Sequence, residues 1–333
     1  MIEKIKKSIK KFNLDLTDKN VLTEAASGNY VVTPIIAALA GAKVIAVTKA
    51  SKYGTIDEIK EQTYSLAKEF NIEKMIKIVE DKEEIDFKEF DIVTNTGFVR
   101  PINKKIIDKL SSNCVIPLMW EPWEFRKEDI DLDACSKKGI KVYGTNESDS
   151  RLQTMKYIGF CVLDFLLKNK MTSFSTKLLI LGNKLFAQPI IDVVAKLNYE
   201  FTYINKYNEK IDVSTYQAII FAENEINTEL LGVDGYILKS DINPNHYLIH
   251  ICGNVDFNNL DCKVNTKSPA NFGYMSFTTD YIDNQAVIDL HTAGLKVAEG
   301  MLKANKLNLI KDKYKVFMEN NYPALAFVNE KYW

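Results

Sequence analysis

The sequence predicts an α/β protein of two units, each with a mostly parallel sheet, joined by long crossing helices. Three observations carry that expectation. Short apolar runs alternate with stretches of helical periodicity along most of the chain. The alternation restarts near residue 177, and a long helical stretch separates the two series. At 333 residues and 46% hydrophobic, the chain is long enough to bury two such cores.

The elements follow in order. Ile2, Ile5, Ile9 and Phe12 space an amphipathic helix over 2–12. A strand over Asn20–Ala26 ends in Ser27-Gly28-Asn29, and a helix runs from there to Ala40, stopped by Gly41. Lys43–Thr48 reads as a strand and Ile56–Phe70 as a helix. Met75–Val79 and Asp91–Asn95 are short apolar runs, hence strands. A helix over Ile102–Leu110, a strand over Cys114–Trp120, a helix over Leu132–Lys137 and a strand over Lys141–Thr145 complete the first series. The helix Leu152–Lys168 marks the boundary. Beyond it, Lys177–Leu181 is a strand, Ala187–Leu197 a helix and Glu200–Asn205 a strand. Strands follow at Ala218–Ala222, Gly235–Leu238 and Tyr247–Cys252, and a long helix at Ala286–Lys303.

Composition narrows the function. Forty-three basic against 44 acidic residues leave a formal charge of −1, with no excess to bind a nucleic-acid backbone or an anionic membrane. The apolar run around Pro34–Ala42 is about half the ~20 residues that cross a bilayer. The N-terminal MIEKIKKSIKKF lacks the apolar core of a secretory signal. Five cysteines without a CxxC pair read as reduced thiols of a cytoplasmic protein. Three histidines without HxxxH or HxH spacing argue against a metal site. Of the basic residues only Arg100, Arg126 and Arg151 are arginine. Where lysine is so dominant, an arginine is a candidate for gripping a planar anion with paired hydrogen bonds.

The sharpest local signal is KLLILGNKLFA, residues 177–187. An apolar strand enters Gly182, and Ala187 follows at the last position of a GxGxxG/A dinucleotide fingerprint. Lys184 replaces the second glycine, which normally lets the pyrophosphate approach the backbone. It also puts a positive charge beside the helix N-terminus, where phosphate binds. Gly182, Asn183, Lys184, Leu185, Phe186 and Ala187 are therefore the expected cofactor turn, with Asn205 and Lys206 at the ribose end. No carboxylate stands in Tyr203-Ile204-Asn205-Lys206 to repel a 2′-phosphate, which favours NADP slightly over NAD. The alternative is a Rossmann-like unit that keeps the fold without the ligand.

In open α/β sheets ligands lie beyond the carboxyl ends of the strands. Those ends read Ser27-Gly28-Asn29, Lys49–Gly54, Thr94-Asn95-Thr96-Gly97, Trp120-Glu121-Pro122-Trp123 and Thr145-Asn146-Glu147. So many polar ends in succession point to a cleft for a small polar or anionic substrate. Ser27, Gly28, Asn29, Asn95, Thr96, Gly97, Glu121 and Arg126 are its candidate contacts. Trp120 and Trp123 flank Glu121 and would raise its carboxyl pKa by excluding water.

The order of segments also resembles the D-2-hydroxyacid dehydrogenases. In EDIDLDACSKKGIKVYGTNESD (128–149), Ile130, Asp131, Ala134, Gly139, Ile140, Val142 and Asn146 fit the family's pattern before the helix into its cofactor domain. VIDLHTAG (287–294) is similar to its T-P-H-x-x-G, which matches His291 to the catalytic histidine. The resemblance implies two Rossmann-like domains: a substrate domain at 1–150, completed by 290–333, and a dinucleotide-binding domain at 151–289. It implies an NAD(P)-dependent oxidoreductase acting on a small hydroxy or keto compound. Departures are also visible. Cys252 stands where the family has its carboxylate-binding arginine, and Leu290 where it has a proline before the histidine. Arg100 is then the candidate carboxylate clamp, and Asp280 the acid that would raise the pKa of His291. A non-redox binding protein on the same scaffold, or a hydrolase or lyase that uses bound NAD as adenosylhomocysteinases do, also suits the pattern. The aromatic tail Tyr322–Trp333 suits a docked terminus or a homodimer contact.

Overall fold

The computed structural model describes residues 1–152 and 154–332. Gln153, inside the expected boundary helix, and Trp333, at the end of the aromatic tail, lie outside the described residues. The chain divides into unit 1, Met1–Gln153 with Asn284–Trp333, and unit 2, Thr154–Asp283.

In unit 1, α1 (Ile2–Phe12) precedes β1 (Asn20–Glu24). A 3-10 turn at Gly28–Val31 leads into α2 (Val32–Leu39), so the expected single helix begins as a tighter turn around the loop glycine. β2 (Lys43–Val47) follows. Then comes α3 (Ile56–Glu69), opened by a capping box between Thr55 and Glu58. β3 (Ile76–Val79), β4 (Ile92–Val93) and α4 (Lys104–Ile107) come next. The expected helix over 102–110 is thus a single turn. Ile102 is drawn into a bridge with Ile130, and Asn103 caps what remains. β5 (Val115–Pro117), α5 (Leu132–Lys138) and β6 (Lys141–Thr145) end the first run of elements.

Unit 2 starts with α6 (Lys156–Lys168), β7 (Lys177–Gly182) and α7 (Lys184–Lys196). β8 (Glu200–Ile204), β9 (Ala218–Ala222), β10 (Glu229–Gly232) and β11 (Ile237–Leu238) follow. β12 (Tyr247–Cys252), β13 (Asn254–Val255) and β14 (Lys263–Val264) complete it. The chain then returns to unit 1 through α8 (Gln285–Lys306), α9 (Lys311–Asn321) and β15 (Ala324–Leu325).

The sheet of unit 1 runs β15-β6-β5-β4-β1-β2-β3, parallel except for β15 on β6. Without β15 this is the order of a full doubly wound sheet, which reverses direction between β1 and β4. Helices α2 and α8 pack on its strands, and α1 on α8. Tyr322 and Phe327 of the tail are buried in the same core.

Unit 2 has a parallel sheet β14-β12-β9-β7-β8 and a smaller sheet β11-β10-β13. The alternation of the strands divides its core in two. Leu178, Ile180, Ile220, Ile249 and Ile251 share a cluster with residues of α6 and α7. Leu179, Leu181, Ile219, Phe221 and Leu248 share the other cluster with Leu230, Leu231 and Ile237 of the small sheet. Strand packing therefore takes the place that helices hold on the second face of a doubly wound domain. The small sheet escaped prediction because β10 and β13 are short and lack a clear period. Among the described residues no helix is long and apolar enough to cross a membrane.

Candidate functional site

The reversal between β1 and β4 brings the ends of those strands together in unit 1. Thr94 Oγ1 donates to Thr23 Oγ1 at 2.9 Å and lies 3.0 Å from Thr96 Oγ1. Asn95 Oδ1 accepts the Met119 N–H at 2.9 Å, which fixes the exit of β5. Glu24, at the end of β1, is buried and accepts the Phe98 N–H at 2.8 Å. Burial pushes its carboxyl pKa up, against the opposing pull of that hydrogen bond and of Arg100. A Cβ on Gly97 would lie 3.1 Å from Glu24 Oε2, so a bare backbone is what fits beside that carboxyl. Gly28 has φ +65° with open space where its Cβ would be. The left-handed backbone, and not crowding, favours glycine there. Ser27 Oγ donates to the Tyr53 carbonyl, and the Gly28 N–H to Gln62 Oε1. Asn29 lies in the 3-10 turn that follows.

His291 belongs to this neighbourhood. It lies in the first half of α8, where Nδ1 is 2.5 Å from Thr33 Oγ1 on α2. The Tyr30 ring is 5.8 Å away, centroid to centroid. The imidazole is buried, and that burial pushes its pKa down to about 4. This corrects the expectation of a histidine held protonated by a carboxylate. Asp280 lies in a 3-10 turn of unit 2, where its carboxylate accepts from the Thr278 hydroxyl.

The other candidates of unit 1 are held by structural contacts. Arg100 Nη1 pairs with Asp129 at 2.6 Å, and its guanidinium sits 5.2 Å from the Trp120 ring centroid. That commits one arm of the expected clamp, while its Nε is buried without a hydrogen-bond partner. Glu121 accepts from Trp123 Nε1 and from the Glu147 N–H at 2.9 Å. Trp123 is largely exposed and anchors Glu121 instead of walling it off. The carboxyl that burial raises is Glu124, with the Glu121 charge adding to the effect and Arg126 opposing it.

In unit 2 the fingerprint turn is tighter than a glycine-rich loop. Helix α7 starts at Lys184, which is exposed, with Asn183 as N-cap. A Cβ on Gly182 would fall 2.1 Å from the Ala222 carbonyl oxygen, so this glycine serves the approach of β9 to β7. Phe186 and Ala187 are buried in the core, and the Ala187 N–H already bonds the Asn183 carbonyl. The Lys184, Leu185 and Phe186 amides open the helix without a side-chain cap.

Around that turn the sheet gathers polar groups that the sequence did not single out. Asn183 is buried, and its Nδ2 donates to Glu225 Oε1 at 2.8 Å. Glu223, only 1% exposed at the end of β9, accepts the Glu225 and Ile226 N–H groups at 2.8 and 3.0 Å and the Tyr207 hydroxyl at 2.7 Å. Asn183 Oδ1, Asn224 Oδ1 and the Tyr203 hydroxyl are buried without hydrogen-bond partners. Asn205 and Lys206 are exposed just after β8. The premise of the NADP preference was the absence of a carboxylate. It fails here, because the charges of Glu223 and Glu225 both act on Tyr203 of β8. The visible signal was an acid directly after the apolar run AIIFA, the counterpart of Glu24 after NVLT.

Cys252 and His250 are structural. Burial pushes the Cys252 thiol up, and the His250 ring is held by Ser276 Oγ and the Gly253 carbonyl. Among the described residues no cluster of histidine, cysteine and acid side chains suits a metal ion.

No family model and no curated protein matches the sequence. Solved structures do match. One of the two kinds of chain in the dipicolinate synthase from Bacillus halodurans is similar at 12% identity and TM-score 0.51, over 87% of this chain and 98% of that one. Its counterpart in the dipicolinate synthase from Bacillus subtilis is similar at 13% identity and TM-score 0.49, over 89% and 98%. An NAD-dependent formate dehydrogenase from Staphylococcus aureus, in complex with NAD, is similar at 12% identity and TM-score 0.49, over 87% and 96%. The likeness is one of fold, and that fold is the two-domain Rossmann type of the D-2-hydroxyacid dehydrogenases.

Proposed function

We propose that the chain is an NAD-dependent oxidoreductase of a small polar or anionic hydroxy or keto compound. The observation that carries this reading is the set of unpartnered buried groups around the α7 N-terminus, at Asn183, Asn224 and Tyr203. Buried polar groups are rarely left unpaired unless a ligand or water completes them. The open amides of Lys184, Leu185 and Phe186 suit a phosphate, as does the positive end of the helix dipole. The Lys184 ammonium adds charge at the same place. These groups fit a dinucleotide, and they would hold it by its pyrophosphate and sugar.

A bound nicotinamide supplies the hydride acceptor or donor. The chain's own part is in unit 1. Thr23, Thr94, Thr96 and the Ser27-Gly28-Asn29 loop offer hydrogen bonds to a polar substrate at the β1–β4 reversal. Glu24 and Arg100 place a proton-holding carboxyl and a cation beside one another there. With its pKa near 4, His291 is neutral at pH 7, in the form that takes a proton from a hydroxyl.

The test is titration of NADH with the purified chain, followed by nicotinamide fluorescence. Saturable binding is the expected result. No saturable signal at millimolar NADH would favour the second reading, a non-redox binding protein. That reading draws on the same His291, since an imidazole so deeply buried and bonded to Thr33 also suits a purely structural post.

A further inference from the structure

We propose that Glu225 is the acceptor for the cofactor's ribose diol and makes unit 2 select NAD over NADP. The proposal rests on the reading of unit 2 as a dinucleotide site. In most such sites the acid comes from the end of the second strand. Here that strand is β8, and its end offers Asn205 and Lys206.

The sheet order supplies a replacement. β7 lies between β8 and β9, so groups leaving β9 and β8 meet over the end of β7. Glu225 follows β9, and its Oε1 accepts from Asn183, the N-cap of α7 directly after β7. Tyr207 follows β8, and its hydroxyl reaches Glu223 from the other side. Glu223 in turn binds the backbone of Glu225 and Ile226, which sets the turn that carries Glu225. Glu225 itself is exposed, and among the described residues its Oε2 makes no hydrogen bond. One carboxylate oxygen is thus anchored and the other is open, the arrangement that accepts from a vicinal diol.

A second, independent observation points to a ligand at this place. Asn183 is 5% exposed, and its Oδ1, at the mouth of α7, has no partner. An unpaired acceptor there suits a hydroxyl donor, and a sugar edge carries such donors. A 2′-phosphate would instead bring about two negative charges against Glu225. Glu223 is then a positioning residue, and Glu225 the residue that discriminates.

The experiment is a fluorescence titration of the full chain and of Glu225→Gln with NADH and NADPH separately. The parent is expected to bind NADH at least tenfold more tightly than NADPH. In Glu225→Gln the two affinities should come within about threefold, with NADPH gaining in absolute terms. Glu225 is exposed, so the variant should fold, and a gain for NADPH cannot come from damage. A parent that binds NADH with the ratio unchanged in Glu225→Gln overturns this assignment and leaves the cofactor reading intact. A parent that binds neither nucleotide overturns both. Glu223→Gln gives a further check: by loosening the turn it should weaken NADH and bring the ratio toward one, as Glu225→Gln does.

Discussion

Thr33 Oγ1 stands 2.5 Å from Nδ1 of His291 and ties the middle of unit 1 together, because Thr33 is in the first turn of α2 and His291 is on α8. Both residues are buried. A hydroxyl and an imidazole that satisfy each other out of water make a bond that is costly to break from one side. Thr33→Val keeps the shape and removes the partner, leaving a buried ring nitrogen unpaired. We expect a loss of about 1–3 kcal/mol in urea unfolding. An unchanged midpoint would mean that the pair contributes nothing.

The same burial sets a pH dependence. The folded pKa of His291 is near 4, while an unfolded histidine titrates near 6.5. Between those values the unfolded chain takes up a proton that the folded chain refuses, so stability falls as pH drops from about 6.5 toward 4. The full effect of this one group is on the order of 3 kcal/mol. His291→Phe should flatten that part of the stability curve, measured by chemical denaturation at a series of pH values. An equally steep curve in the variant would place the dependence elsewhere.

Glu24 has the opposite sign. Its folded pKa is raised by burial, so the folded state prefers the protonated acid and stability declines as pH rises from the unfolded value toward the folded one. Glu24→Gln keeps an acceptor for the Phe98 N–H and removes the charge. The variant should match the parent at pH 4 and melt at a higher temperature at pH 8. A lower melting temperature at pH 8 would mean that the Arg100 charge outweighs the desolvation of Glu24.

How far the sequence carried depended on whether a residue's neighbours were local. β9 and β12 read off to the residue, because buried parallel strands are continuous apolar runs. Helix α7 opens three residues earlier than its apolar pattern, since Lys184 and Leu185 form a first turn that periodicity could not see. Ser27, Asn95 and Glu121 were visible as polar strand ends, but their partners Tyr53, Met119 and Glu147 are distant in sequence. Glu225 was invisible for a related reason. Its meaning comes from β7 lying between β8 and β9, an order that neighbouring residues do not encode.

Gly182 offers a test that separates packing from ligand binding. Its missing Cβ would meet the Ala222 carbonyl oxygen at 2.1 Å, where backbone faces backbone and neither can yield cheaply. Gly182→Ala should therefore destabilise unit 2 by about 3 kcal/mol or more, at the upper end of overpacking costs. The loss should appear in thermal unfolding without any nucleotide present. A variant that melts like the parent yet fails to bind NADH would return this glycine to the cofactor.

The last prediction concerns His291 as a proton carrier. His291→Asn retains a polar group near Thr33 and removes the titratable ring. If the imidazole moves a proton in the reaction, turnover should fall by about a hundred- to ten-thousand-fold, while NADH affinity stays within about twofold. Those groups that would bind nucleotide, Asn183, Lys184 and Glu225, belong to unit 2, and His291 belongs to unit 1. The pH profile adds a discriminating readout. A base with its pKa near 4 leaves the parent's rate flat from pH 6 to 8, because the imidazole is already neutral throughout. A rate that climbs through pH 6.5 in the parent, and loses that limb in His291→Asn, would mean that substrate binding raises the imidazole toward its ordinary range. Turnover unaffected by His291→Asn would leave the histidine as the partner of Thr33 and nothing more, and would move the search for the proton carrier to Glu24.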